Sequence, residues 1–234
     1  CSFKEGSRVT NRSLEYMQAG REITLRARDL ISGVAGIYYS INGQDYRKYT
    51  GPLAFTEEQA YQLKFYAVDS VGNDEEVQEL EFKVDQSAPQ SSLEYRGRKH
   101  EQVFSPDGSF LLDAQDALSA VADIYYRIDS GAWQAYKGPV AMRSLEEGAH
   151  ILEYYAEDQT GNKEQIAQSS FYVDKSPPRI VQQIIGDQYY TNGKAYSSGR
   201  SKLKITAVDN RAGVQNIYYS INNNEKQRYT QPFL

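Results

Sequence analysis

The sequence predicts an all-β protein of tandem antiparallel sandwiches. Three observations carry that reading: alternating polar and apolar segments, turn dipeptides between them, and the return of the same residues at intervals of about 90 positions. In ITLRARD, Ile23, Leu25 and Ala27 alternate with polar residues, as in a strand buried on one face. In IYYSI, Ile37, Tyr39 and Ile41 share one face, which leaves Tyr38 and Ser40 on the other. Asn42-Gly43 follows and predicts a two-residue type I′ hairpin, because both positions tolerate positive φ. The second copy is expected to turn at Ser130-Gly131, and the third at Asn222-Asn223-Asn224. YQLKFYAVD and EVQELEFKVD alternate again, with Gly72-Asn73 between them. No segment carries a capped helical stripe.

The repetition sets the domain organisation. GIYYSINGQDYRKYTGPLAF begins at Gly36 and returns from Asp123 and from Asn216. FYAVDSVGNDE from Phe65 returns as YYAEDQTGNKE from Tyr154, and FKVDQSAP ending at Pro89 returns as FYVDKSPP ending at Pro178. An interval of about 90 residues suits a small sandwich and is too long for a solenoid repeat. The predicted units are residues 1–87, 88–176 and 177–234. The linkers at 86–89 and 175–178 are short and end in proline, which terminates the preceding strand and stiffens the hinge. The third unit stops after Y-T-Q-P at residues 229–232, without the two C-terminal strands of the earlier copies. The expectation is that the natural chain runs past Leu234, or else that another chain supplies those strands to the open edge.

Composition narrows the function classes. The formal net charge is −5 and no long basic block occurs, so a nucleic-acid partner lacks electrostatic support. Twenty tyrosines suit half-buried sheet faces and contact surfaces. No apolar run reaches the length of a membrane-spanning helix, and no secretory signal is present. The single cysteine, Cys1, stands first. It allows no internal disulfide, so the core alone must hold the fold. Two readings of Cys1 stay open: the lipid-carrying first residue of a processed bacterial lipoprotein, or the edge at which numbering starts.

The pattern D-x-x-S-G-V…I-Y-Y-S-I-[ND]-G…Y-x-G-P…Y-A-x-D-x-x-G-N…V-D-x-x-[AP]-P resembles the bacterial Ig-like repeat family. The match spans the first two units and the third until it ends. It departs where Gln231 stands in place of the glycine at 51 and 138, so that turn is expected to differ. The resemblance implies tandem immunoglobulin-like antiparallel β-sandwich domains, the third incomplete. It also implies an outer-membrane-associated or surface protein, or an accessory module beside a secreted glycoside hydrolase. It is specific for fold and weak for function.

The repeated aspartates are the first candidates for a ligand site. Asp29, Asp116 and Asp209 follow one strand, Asp69 and Asp158 sit in A-x-D-x-x-G-N turns, and Asp85 and Asp174 precede the hinges. Clustered near the joints they would suit Ca²⁺, which takes six to eight oxygens. The alternative is that they accept hydrogen bonds from the N–H groups of their own turns. Next come the aromatics. Trp133, Tyr136, Tyr46 and Tyr49 follow the IYY strand and would stack on sugars, anchor a protein, or pack across neighbouring strands. Tyr38, Tyr125 and Tyr218 recur on the face opposite the isoleucines and are candidates for partner contact. Catalysis has little support: His100 and His150 fall at unrelated places, and no zinc spacing, nucleophile elbow or phosphate loop occurs. The sequence therefore points to a non-catalytic, lipid-anchored spacer, adhesin or assembly subunit at the bacterial outer membrane, bound to a protein partner and needing no cofactor. The alternative is a carbohydrate-contacting accessory module.

Overall fold

The computed structural model describes residues 16–234 in full and, before them, the backbone of the strands at Ser2–Lys4, Arg8–Asn11 and Leu14–Gln18. Cys1 lies outside the described residues. Among those described, the regular structure is strand apart from one 3-10 turn, Met142–Ser144. Two compact units are distinguished: Cys1–Glu94 with Leu112–Gly138 and Leu152–Ser169, and Tyr95–Leu111 with Pro139–Ile151 and Ser170–Leu234.

The first repeat is a two-sheet sandwich. One sheet orders Ser2–Lys4, Glu22–Arg26 and Leu53–Ala54. The other orders Arg8–Asn11, Leu14–Gln18, Gln78–Asp85, Ala60–Asp69, Val34–Ile41 and Arg47–Lys48. Their facing residues build the core, in which Met17, Ile23, Leu25, Phe55, Leu63, Phe65, Phe82 and Val84 are buried. Alternation decides which residues enter it. Tyr61, Leu63 and Phe65 point inward from one strand and Leu80, Phe82 and Val84 from its neighbour, while Gln62 and Lys64 stay outside. Each such side chain contributes about 1.5–3 kcal/mol by leaving water. Ile37, Tyr39 and Ile41 pack on this core as predicted.

One pairing was not foreseen. Leu14–Gln18 runs parallel to Gln78–Asp85, and Val103–Phe104 runs parallel to Ala167–Val173. The opening and closing strands of a repeat point the same way, so pairing them closes the sheet with a parallel ladder. The long crossover that such a ladder requires is the rest of the repeat. The second repeat otherwise keeps the strand order of the first, with Gln90–Arg96, Ser109–Gln115 and Val140–Ala141 in one sheet.

The hairpins follow the turn chemistry with one correction. Asn42 and Gly43 have φ of 53° and 74°, and Gln44 N–H donates to Ile41 O at 3.1 Å. Asn222 and Asn223 repeat this with φ of 52° and 61°. In the second repeat the two positive-φ residues are Asp129 and Ser130, at 52° and 59°, not Ser130 and Gly131. A conserved register overrides the glycine there: Gly131 N–H closes the turn onto Ile128 O at 2.9 Å.

A tyrosine fixes the next corner. Tyr49 N–H donates to Ile37 O, and its hydroxyl accepts the Leu25 N–H at 3.2 Å. Tyr229 does the same with Ile217 O and with the Ile205 N–H, the latter at 3.1 Å. The corner at Gln231 is therefore not different in its tyrosine anchor.

In the third repeat, Arg179–Ile185 pairs antiparallel with Lys202–Val208, and every residue of the former is exposed. The last described strands are Tyr218–Tyr219 and Gln227–Arg228.

Candidate functional site at the acidic joints and the outer aromatic ladder

The aspartates that end one strand organise a loop. Asp29 Oδ1 accepts N–H groups from Ile31, Ser32 and Gly33 at 3.0, 2.7 and 2.7 Å. These donors, Ile31 first, hold its carboxyl below the usual range. Asp116 Oδ1 accepts from Leu118 and Ala120, and Asp209 Oδ1 from Arg211 and Gly213. The loop ends on a left-handed residue in each case: Gly33, Ala120 and Gly213 have φ of 77°, 71° and 77°.

The A-x-D-x-x-G-N aspartates organise a second turn. Asp69 accepts from Val71 N–H, Asn73 N–H, the Asn73 amide and Ser32 Oγ–H at 2.7–3.0 Å. Donation from Asn73 leads the causes that hold its pKa at about 2. Asp158 Oδ1 accepts from Thr160 N–H, Gly161 N–H, Asn162 N–H and Thr160 Oγ–H, and Oδ2 takes the Asn162 amide.

The hinge aspartates join consecutive repeats. Asp85 Oδ1 accepts the Ser87 N–H at 3.1 Å, and Oδ2 accepts the Ser119 N–H of the next repeat at 3.1 Å. Asp174 reproduces both bonds, from Ser176 at 3.0 Å and from Ala212 at 3.2 Å. The Asn162 amide donates to the carbonyls of Asp85 and Ser87, each at 3.2 Å, and Gln18 Nε2–H donates to Asn162 Oδ1. A second tie closes each hinge from below, where Ser87 Oγ–H donates to Glu58 and Ser176 Oγ–H to Glu147.

Of the seven aspartates considered for a metal, the fold brings three together. Carboxylate oxygens of Asp85, Asp116 and Asp158 lie within 4.8 Å of one another. Asp85 is 0% exposed and Asp158 2%. Burial, helped by the charges of Asp158 and Asp116, pushes the Asp85 carboxyl up. Both oxygens of Asp85 and Asp158 already accept donors, and Asp116 Oδ2 is the buried oxygen of the group without one. Asp29 and Asp69 meet through Ser32 instead, and Asp174 stands at the second joint. Sequence reasoning missed Glu58, Glu147, Asn162 and Glu164. Glu164 receives Ser91 N–H and Ala156 N–H, and the recurring G-N-x-E of Glu75 and Glu164 was the available signal.

The outer sheet face carries aromatic contacts. Tyr38 stacks on Tyr66 at 5.7 Å with Tyr46 edge-on to Tyr66, and Tyr125 stacks on Tyr155 at 5.2 Å with Trp133 edge-on to Tyr155. Arg127 lies 4.6 Å over the Trp133 ring and grips Glu153 by two hydrogen bonds. Tyr38 and Tyr125 are thus half-buried by cross-strand partners, not free, while Tyr218 is exposed. Tyr136 packs edge-on to Tyr126, as Tyr49 does to Tyr39. His150 is buried against Phe171 with Nε2 2.9 Å from Glu146 O, and His100 lines an open cleft of about 920 Å³ beside Asp174 and Asp209.

Repeated two-sheet sandwiches with corner tyrosines define an immunoglobulin-like protein. Residues 35–86 match the family profile described as "Bacterial Ig-like domain". No curated protein matches the chain in sequence. Among solved structures, the chain is similar to the Clostridium thermocellum CbhA fibronectin(III)-like modules at 14% identity and a TM-score of 0.44. That match covers 74% of this chain and 95% of the other. This fold hosts many roles, structural and binding ones among them.

Proposed function

We propose that the chain is a non-catalytic array of a bacterial envelope protein, held at the outer membrane by acyl chains on Cys1, and that it serves a protein partner as spacer, adhesin or assembly subunit. The observation that supports this reading is the repeated joint, in which Asp85 and Asp174 each accept one N–H from their own hinge and one from the following repeat. A joint held through backbone donors resists bending without metal, disulfide or cofactor, which suits a module whose task is to set reach. Acylation contributes about 0.8 kcal/mol per buried CH₂, and two or more chains make a stable anchor. The test is the mass of the N-terminal peptide from envelope-purified protein. Diacylated or triacylated Cys1 is expected, and an unmodified Cys1 preceded by further polypeptide would remove the anchor.

A second reading has its own observation. The Tyr125, Tyr155 and Trp133 rings, with Arg127 lying over Trp133 and bonded to Glu153, resemble a surface that a sugar ring contacts. On this reading the chain is a carbohydrate-contacting accessory module.

A further inference from the structure

The two joints share their clasp and differ beside it. Asp85 and Asp174 each accept an N–H from the following repeat, that of Ser119 in one joint and of Ala212 in the other. The loops that carry these donors are bonded alike: Asp116 accepts the N–H groups of Leu118 and Ala120, and Asp209 those of Arg211 and Gly213. Two further positions are therefore equivalent between the joints. One lies two residues before the hinge aspartate, on the same face of its strand, and is Lys83 or Tyr172. The other immediately precedes the donor residue and is Leu118 or Arg211.

At the second joint the two positions touch. The Arg211 guanidinium lies 4.2 Å over the ring of Tyr172, which is half-buried. A planar guanidinium is attracted to the negative face of an aromatic ring. At the first joint the charge changes sides. Lys83 is half-buried and Leu118, half-buried too, brings no charge. The Ser87 hydroxyl leads in holding the Glu58 carboxyl low, and the Lys83 charge adds to it. A lysine stem lies well against an aliphatic side chain while its ammonium stays in water. One cation thus stands at each joint, from the preceding repeat in the first and from the following repeat in the second.

We propose that this pair of positions decides which repeat can follow which. An arginine in the following repeat calls for an aromatic ring in the preceding one. The third repeat therefore fits behind the second and is disfavoured behind the first, where Arg211 would meet Lys83 and two cations would stand together. The exclusion is one-sided, because Tyr172 against Leu118 brings two uncharged side chains into contact. The shared clasp supplies attachment, and the charge beside it supplies the choice of neighbour through a repulsive combination. This selectivity is independent of whether Cys1 is acylated.

The test is a double-mutant cycle on the full chain, read by thermal unfolding at low and at high salt. Leu118→Arg sets a guanidinium against Lys83. It is expected to lower the melting temperature by about 1–4 °C at low salt and by less at high salt. Lys83→Tyr in the same chain rebuilds the pair of the second joint at the first and is expected to recover that loss, once the effect of Lys83→Tyr alone is subtracted. At the second joint, Tyr172→Lys is expected to repeat the loss and Arg211→Leu in the same chain to remove it. Equal losses from Leu118→Arg with and without Lys83→Tyr overturn the proposal. So does a loss that salt leaves unchanged, which would mark missing packing of Leu118 in place of like-charge repulsion.

Discussion

The carboxylate of Asp85 accepts the backbone N–H of Ser119 at 3.1 Å, across thirty-four positions of sequence and from one repeat to the next. Ser119 is fully buried, so that N–H has no access to water if Asp85 is removed. A buried donor left unsatisfied costs about 1–3 kcal/mol. Asp85→Ala is therefore expected to lower stability in denaturant unfolding by about that amount. An unchanged midpoint would mean the joint is held by other contacts.

The pH response separates Asp85 from the turn aspartates. Its pKa is raised in the folded state, so the fold binds that proton more tightly than the unfolded chain does. Ionised Asp85 is a cost at neutral pH that is relieved as pH falls through its folded value. Asp69 is the opposite case. Its contribution is present above the ordinary value of 3.8 and lost as pH falls toward about 2. Melting temperatures of the native chain and Asp85→Asn, followed from pH 7 downward, should diverge in favour of the native chain on mild acidification. Parallel curves would contradict this.

Calcium gives a direct reading of the three-carboxylate group. A Ca²⁺ ion needs six to eight oxygens, and among Asp85, Asp116 and Asp158 the donor-free buried oxygen is Asp116 Oδ2. The melting temperature is expected to be the same with Ca²⁺ and with a chelator. A rise on adding Ca²⁺ would show that the metal displaces the N–H donors.

Tyr49 and Tyr229 hold equivalent corners through their hydroxyls. Tyr49→Phe and Tyr229→Phe each leave a strand N–H without that acceptor while keeping the ring in place. A loss of about 0.5–1.5 kcal/mol per substitution is expected from thermal unfolding. No loss would mean that water replaces the hydroxyl.

Trp133 separates packing from recognition. Cross-strand aromatic pairs contribute about 0.2–1 kcal/mol, so Trp133→Ala should melt close to the native chain. If the ladder contacts carbohydrate, glycan-array signal disappears in this variant. Undiminished binding removes the ring from that role.

The repeats, strands and hairpin positions could be read from the chain because alternation and turn residues are local signals. Ile37, Tyr39 and Ile41 face inward as their spacing requires, and Asn42-Gly43 turns where the dipeptide says. Ser130-Gly131 misled, because the fold keeps the turn at the same distance from Ile128 and accepts Asp129 in a left-handed conformation. The outward tyrosines were placed on the correct face, but their cover by Tyr66 and Tyr155 depends on strand pairing that no local pattern specifies. The same holds for the joints. Asp85 was visible as a residue before a hinge, whereas its partner Ser119 and the supports Glu58 and Asn162 come from elements distant in sequence.

The first two repeats bear both halves of the clasp: a loop that carries the amide at the head and an acidic residue at the foot. A gene that duplicates one such unit in frame therefore gains a finished connection along with it, since head and foot match without further mutation. Lengthening or shortening by whole units then needs no new interface to evolve, and selection can act on the number of units while leaving their sequence alone.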